Sequence, residues 1–84
     1  MNIDTNSTAF RILERLCRLP KPVRSMSDVM LNAEFHEPHA IQALAEAGLI
    51  RERGWDQGPG TLWVPTPAGE RLYTAHAGSD AEAG

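Results

Sequence analysis

The sequence predicts a small α+β fold, mostly α with one β-hairpin, in which three helices form the core and a short helix follows the hairpin. Apolar residues repeat at three- and four-residue spacing before residue 48, which is typical of helices with one buried side. Two strand-like runs after residue 48 flank a segment rich in glycine and proline, which is typical of a hairpin. The 84 residues fit one domain, with an apolar content that is ordinary for a globular protein.

The first predicted helix covers residues 8–19, with Ser7 or Thr8 as its N-cap. Pro20 ends it, because the residue before a proline disfavours helical geometry. Cys17 is the only cysteine, so it forms no internal disulfide, and we expect a buried thiol rather than a redox sensor. The apolar side chains of this helix share one stripe, which we expect in the core: Ala9, Phe10, Ile12, Leu13, Leu16 and Cys17.

The second predicted helix begins near Ser25 or Ser27, since either hydroxyl can accept from the free N–H groups at a helix start. Asp28 in its first turn suits the helix dipole. Phe35 is expected to plug the corner that follows the helix. We expect three apolar side chains of this helix to face the core: Val29, Met30 and Ala33.

The third predicted helix covers residues 39–47 and follows Pro38, because proline is favoured at the first helical position. Gly48 suits the left-handed residue that ends a helix. Leu49 and Ile50 then anchor the first strand. The inward side chains of the third helix are expected to be Ile41, Leu44 and Ala45.

The predicted hairpin joins strands over residues 49–55 and 61–64 through a protruding loop. Its two tryptophans, Trp55 and Trp63, are expected to form a cross-strand pair, and an exposed tryptophan there would be an interface residue. After the hairpin, Thr66 and Pro67 predict a final helix that ends near Ala75. The predicted domain organisation is a flexible N-terminus at 1–7, a folded domain at 8–76 and a disordered acidic tail at 77–84.

Two stretches of the chain resemble bacterial winged helix-turn-helix regulators. Residues 40–51 contain Leu-x-x-x-Gly-Leu-Ile, which is similar to the run from the recognition helix into the first wing strand of those proteins. Residues 64–72 contain Thr-x-x-Gly-x-x-Leu, which is similar to the run after the wing in MarR- and PadR-like transcriptional regulators. The resemblance implies a winged helix-turn-helix domain that binds double-stranded DNA as a homodimer.

In such regulators the outward side of the third helix enters the major groove and the wing contacts the DNA backbone. The resemblance therefore implies that Gln42 and His39 face the bases, while Arg51 and Arg53, alternating on one strand face, contact phosphates. The basic residues before the second helix lie where a helix N-terminus commonly contacts a phosphate. The predicted DNA- or partner-binding residues are Lys21, Arg24, Ser27, His39, Gln42, Ala43, Glu46, Arg51, Arg53, Trp55 and Gln57.

The charge distribution supports a second hypothesis. The net charge is −3, and residues 25–50 contain four acids but no lysine or arginine. A third helix without cations attracts phosphate weakly, and Glu46 repels it. The domain would then be a protein-binding module that does not bind DNA, such as a phage or mobile-element protein that acts on host machinery. The basic side of the first helix, at Arg11, Arg15 and Arg18, suits either a nucleic-acid contact or a solvated face.

The sequence contains no recognisable catalytic or metal-binding pattern. The run His36-Glu37-Pro38-His39 is expected to be a polar turn, since zinc needs three or four convergent ligands. The serines lack a nucleophile elbow, and the glycine-rich hairpin loop lacks the Gly-Lys-Ser/Thr of a phosphate loop. We therefore expect no enzyme activity and no cofactor. The absence of a signal peptide, of a long apolar run and of paired cysteines predicts a cytoplasmic protein without membrane contact.

Overall fold

The computed structural model describes Asp4 and residues 6–20, 24–55 and 60–83, without the side chains of Trp55 and residues 77–83. This part of the chain contains four helices and three strands, so the predicted α+β class is confirmed. In chain order they are α1 (Thr8–Cys17), β1 (Met26–Ser27), α2 (Asp28–Phe35), α3 (Pro38–Glu46), β2 (Ile50–Trp55), β3 (Thr61–Pro65) and α4 (Pro67–Ala83). None of the described helices has the length and apolar character needed to cross a bilayer.

The strands form one antiparallel sheet in the order β1-β3-β2. The sequence does not predict β1, because a strand of two residues has no alternation to recognise. Met26 pairs with Trp63, and Ser27 pairs with Leu62. Ser27 also caps α2, since its Oγ accepts from the Met30 N–H at 3.2 Å. The predicted helix start at Ser27 is thus confirmed, and the same residue joins α2 to the sheet.

Helix α1 follows the prediction closely. Its N-cap is Ser7, whose Oγ accepts from the Phe10 N–H at 3.3 Å. All six side chains of the predicted stripe are buried and form the largest part of the core. The helix ends at Cys17, two residues before the predicted end, because the chain tightens there into a shorter turn. In that turn the Leu19 N–H donates to the Leu16 carbonyl at 3.2 Å.

The rotation of α2 differs from the prediction. Leu31 is fully buried, whereas Val29 is 50% exposed and Met30 is 58% exposed. Ala33 is also exposed, so the expectation that these three apolar residues face the core is wrong. The cap and the β1–β3 pairing orient the first turn so that Leu31 and Phe35, one turn apart, face inward. Apolar composition alone does not identify the buried side of so short a helix.

A tight corner joins α2 to α3. His36 ends α2 in the left-handed region with a φ of 57°, and its N–H donates to the Asn32 carbonyl at 2.8 Å. Pro38 then starts α3 as predicted. Because the turn is only two residues long, it holds the two helices beside each other. The space between them faces β3.

Helix α3 packs on the core through the three side chains that the sequence predicts to face inward. Ile41 is 5% exposed and Leu44 is fully buried, as predicted, and Ala45 is half-buried against the same cluster. Gly48 has a φ of 75°, which is the predicted left-handed ending. The chain can therefore turn at once into β2, where Leu49 and Ile50 are buried.

Helix α4 begins with the predicted cap and continues further than predicted. The Gly69 N–H donates to Thr66 Oγ1 at 3.1 Å, while the Thr66 hydroxyl donates to the Gly48 carbonyl at 2.6 Å. The helix extends to Ala83 instead of ending near Ala75, so it includes residues 77–83 of the predicted tail. Four alanines between 75 and 83 favour helix strongly enough to accommodate one glycine. Of the predicted flexible N-terminus, residues 1–3 and 5 lie outside the described residues.

Cys17 is a buried core thiol, as predicted. Burial raises its pKa from 9.0 to about 11, and this effect exceeds the opposing attraction of Arg24. Only the thiolate is nucleophilic, and each pKa unit changes the thiolate fraction tenfold. We therefore expect iodoacetamide at neutral pH to alkylate the native protein about 100-fold more slowly than the urea-unfolded chain. Mass spectrometry of timed samples measures both rates, and equal rates would show that the thiol is accessible in the native state.

Candidate partner-binding surface

A groove of about 520 Å³ opens between α2, α3 and β3. Both helices contribute residues one turn apart, because positions i and i+4 lie on the same face of a helix. Half of the lining is apolar and consists of Pro38, Ile41, Ala45 and Trp63. The other half is polar and consists of Asp28, Asn32, Gln42 and Glu46. The groove therefore combines an apolar surface with two carboxylates, and no lysine or arginine is among the described residues that line it.

Trp63 reaches the groove from the middle strand of the sheet. Its neighbours in the ladder are Met26 on β1 and Glu52 on β2. Trp55 pairs with Thr61, so the two tryptophans are not directly opposite each other in the ladder. The β-bulge in β2 shifts the register by one residue, which the sequence pattern does not predict. Trp63 is thus half-buried between the sheet and the helices.

Two polar atoms of the groove residues lack a hydrogen-bond partner within the described part of the chain. They are the indole Nε1 of Trp63 and the Oδ1 of Asn32, and both are shielded from solvent. A buried unpaired donor or acceptor costs about 1–3 kcal/mol, and native proteins retain few of them. Both residues belong to the lining of the same groove.

Asp28 connects the groove to the hairpin. Its Oδ1 accepts from the Thr61 N–H at 3.1 Å, at the start of β3. The carboxylate also lies in the first turn of α2, where the helix dipole stabilises negative charge. The hydrogen bond holds the Asp28 carboxylate in place beside the groove, and its second oxygen can accept a further hydrogen bond.

The outward side of α3 carries the residues that the sequence predicts for base contacts. His39, Gln42 and Glu46 are exposed, and Ala43 is half-buried. The Gln42 side chain donates from Nε2 to Glu46 Oε1 at 3.2 Å. The amide that is predicted to read an adenine is therefore paired with a carboxylate one turn away. Gln42 and Glu46 also line the groove, and His39 and Ala43 do not.

The two predicted wing arginines are exposed but do not share a regular strand face. Arg51 pairs with Val64, and Glu52 pairs with Trp63. Arg53 falls at the bulge between Glu52 and Gly54 and has no partner residue in the ladder. The alternation that places both arginines on one face is therefore interrupted. Gln57, predicted near the wing tip, lies outside the described residues.

Arg24, which is predicted to contact a phosphate before α2, makes its contacts within the protein instead. Arg24 donates from Nε to the Leu19 carbonyl at 3.1 Å and pairs through Nη1 with Glu70 Oε2 at 3.2 Å. It therefore ties the segment before β1 to α4 instead of presenting its charge to a ligand. Ser27 is occupied as the α2 cap. Lys21 lies outside the described residues.

Two of the three arginines on the basic side of α1 form ion pairs within the chain. Arg15 pairs with Glu34 on α2 at 3.2 Å. Arg18 pairs with Glu14 at 3.3 Å, and its Nε donates to the Tyr73 hydroxyl at 3.4 Å. These contacts favour a solvated face over a nucleic-acid contact.

Sequence reasoning misses most of the groove. It identifies Gln42 and Glu46 as interface residues but not Asp28 and Asn32, which the rotation of α2 brings beside α3. Asn32, a polar residue with apolar neighbours in the sequence, is the one available signal for that face. Among the described residues, no group of three or more His, Cys, Asp or Glu side chains is arranged to hold a metal ion, and this includes the run from His36 to His39.

Comparison with known proteins identifies no relative. No protein-family model matches the chain, and no curated protein or solved structure matches it significantly.

Proposed function

We propose that this chain is a winged helix-turn-helix domain that binds a protein partner through the groove between α2 and α3. The order of elements supports the winged-helix assignment: helix, strand, helix, helix, strand, strand, helix, with an antiparallel sheet in the order β1-β3-β2. In this assignment α2 and α3 are the helix-turn-helix pair, and β2 and β3 are the wing. The motif that resembles a recognition helix, at residues 40–51, coincides with α3 and the start of β2.

The observation that carries the protein-binding proposal is the apolar groove with carboxylates at its edge. A solvent-facing groove that is half apolar and lies beside the exposed Val29 is a surface that gains free energy by being covered. Val29 and Ala33 follow Asp28 and Asn32 by one position on α2, so they border the groove on its solvent side. Together the groove and this border form a continuous surface on one side of the molecule.

The electrostatics of the same side disfavour DNA. Duplex binding depends on cations that replace the counterions of phosphates. No lysine or arginine occurs in α2 or α3, whereas Asp28 and Glu46 line the groove. A recognition helix that enters the major groove would bring these carboxylates close to the phosphates, which repel them.

A DNA-binding homodimer is the second candidate, and one observation favours it. Arg51 and Arg53 are exposed on β2, and neither is in an ion pair with another described residue. A homodimer would place one copy on each half-site of a pseudo-palindromic operator, and the second copy would double the number of available cations. Under this candidate, replacing both arginines with alanine weakens binding and reduces its salt dependence.

The two candidates are distinguished by a fluorescence-anisotropy titration of random-sequence duplex DNA. We expect no binding at about 10 µM protein and about 50 mM salt, where even non-specific DNA-binding proteins bind. Saturable binding that is lost in the variant carrying Arg51→Ala and Arg53→Ala would overturn the proposal and establish the wing as a DNA contact. Sedimentation of the same samples measures the predicted homodimer.

The nature of the partner is tested by site-specific photo-crosslinking in native cells. A photoreactive amino acid replaces Gln42 in the groove, and the matched control replaces Thr74, which is exposed on α4. We expect adducts at position 42 that resist nuclease and are digested by protease, with fewer at position 74. Nuclease-sensitive adducts at position 42 would contradict a protein partner.

A further inference from the structure

We propose that the groove recognises a segment of its partner that presents an arginine or lysine side chain next to an apolar one. This inference rests on the proposed function and specifies the chemistry of the partner.

The charge of the lining selects the cation. Asp28 and Glu46 contribute carboxylates from two different helices, and none of the described residues that line the groove is basic. Within the described part of the chain, one oxygen of each carboxylate accepts a hydrogen bond: Asp28 Oδ1 from the Thr61 N–H, and Glu46 Oε1 from the Gln42 side chain. The second oxygens are further acceptors, suited to a guanidinium or ammonium group. An anionic segment would meet repulsion at both positions.

The apolar part of the lining selects the neighbouring side chain. Pro38, Ile41, Ala45 and Trp63 provide a surface where an aliphatic side chain loses contact with water. The Trp63 ring adds an aromatic surface that also attracts cations. A residue pair with one cationic and one aliphatic side chain therefore matches both halves of the groove.

The surroundings of the groove favour a polypeptide over a small ligand. A small molecule of suitable size would fill the groove but leave the adjoining Val29 and Ala33 in water. A chain segment covers the groove and this border together. Its backbone also carries a carbonyl and an N–H, which complement the unpaired Trp63 Nε1 and Asn32 Oδ1 once the lining side chains adjust.

The test uses the full chain with Trp55→Phe, so that Trp63 is the only tryptophan and its indole N–H gives a single NMR signal. The probes are acetyl-Leu-Arg-Leu-amide and the same peptide with neutral citrulline in place of arginine. We expect the arginine peptide to shift the Trp63 signal in a saturable manner and to bind several-fold more tightly than the citrulline peptide. Equal binding of the two peptides, or no shift at millimolar peptide, would overturn the inference.

Matched charge variants locate the binding site. Glu46→Gln removes a groove carboxylate, whereas Glu34→Gln removes a carboxylate on the far side of α2, and both residues are exposed. We expect Glu46→Gln to weaken the arginine peptide about threefold, as for a single partly exposed charge pair, and Glu34→Gln to leave its affinity unchanged. Equal effects of the two variants would place the peptide elsewhere and overturn the inference.

Benzamidine, a small aromatic cation, serves as the competing ligand class. Binding as tight as that of the arginine peptide would mean that the groove is a small-molecule site, and this also overturns the inference. Failure here is distinguishable from failure of the proposed function. If position 42 crosslinks to protein while the peptide arms fail, the domain binds a partner of different chemistry; if the adducts are nuclease-sensitive, the proposed function itself fails.

Discussion

Replacing Gly69 with alanine is expected to destabilise the domain by about 3 kcal/mol or more. Gly69 lies in the first turn of α4, directly against Leu49, the residue before β2. A Cβ at this position would overlap the Leu49 carbonyl oxygen and would approach Leu13 Cδ1 to 3.0 Å. The Leu49 carbonyl cannot move aside easily, because it accepts from the Thr66 N–H at 3.0 Å.

Urea unfolding followed by circular dichroism measures the loss, and Gly48→Ala is the control. Gly48 has a positive φ of 75°, but a Cβ there has no neighbour within 4 Å. It therefore incurs backbone strain of about 1–2 kcal/mol without a steric clash. A loss at Gly69 no greater than the loss at Gly48 would show that α4 does not pack directly against the Leu49 carbonyl.

Replacing Leu31 with alanine is expected to destabilise the domain by about 2–5 kcal/mol, as for other fully buried leucines. The neighbouring change Met30→Ala is expected to change stability by less than about 0.5 kcal/mol, because Met30 is 58% exposed. The two residues are adjacent in sequence and similar in apolar character, so the contrast reports only the rotation of α2. Equal losses, or a larger loss at Met30, would mean that the other side of the helix faces the core.

The rotation of α2 also matters for function. With Leu31 inward, Asp28 and Asn32 face the groove, and Val29 and Ala33 border it. With the rotation that apolar composition suggests, the border would be buried and the groove would lose its acidic end. A folded Met30→Ala protein is therefore a suitable background for crosslinking, because it alters the exposed side of α2 without altering the core.

Several elements are predictable from the sequence because local physics sets them. The six-residue stripe of α1 follows from helical periodicity over ten residues, a span long enough to identify one buried side. The caps at Ser7 and Thr66 follow from hydroxyl groups placed before helix starts. The left-handed Gly48 follows from the low cost of positive φ in glycine.

The candidate site is only partly predictable. Gln42 and Glu46 are recognisable as outward residues of α3, because their position depends on the spacing within one helix. Arg24 is not recognisable as structural, since its partners include Glu70 on a distant helix. The position of Trp63 depends on a β-bulge in the facing strand, and a bulge leaves no periodic signal.

Spacing, capping and glycine placement in the sequence alone thus specify α1, α3, the hairpin strands and the start of α4. The rotation of α2, the two-residue strand β1 and the groove emerge only when distant segments meet. Ser27 pairs with Leu62 and caps α2 at the same time, and Asp28 binds the Thr61 N–H across 33 residues of sequence. A short helix with apolar residues on several sides has no intrinsic preference strong enough to choose its buried face, so contacts from the sheet make that choice.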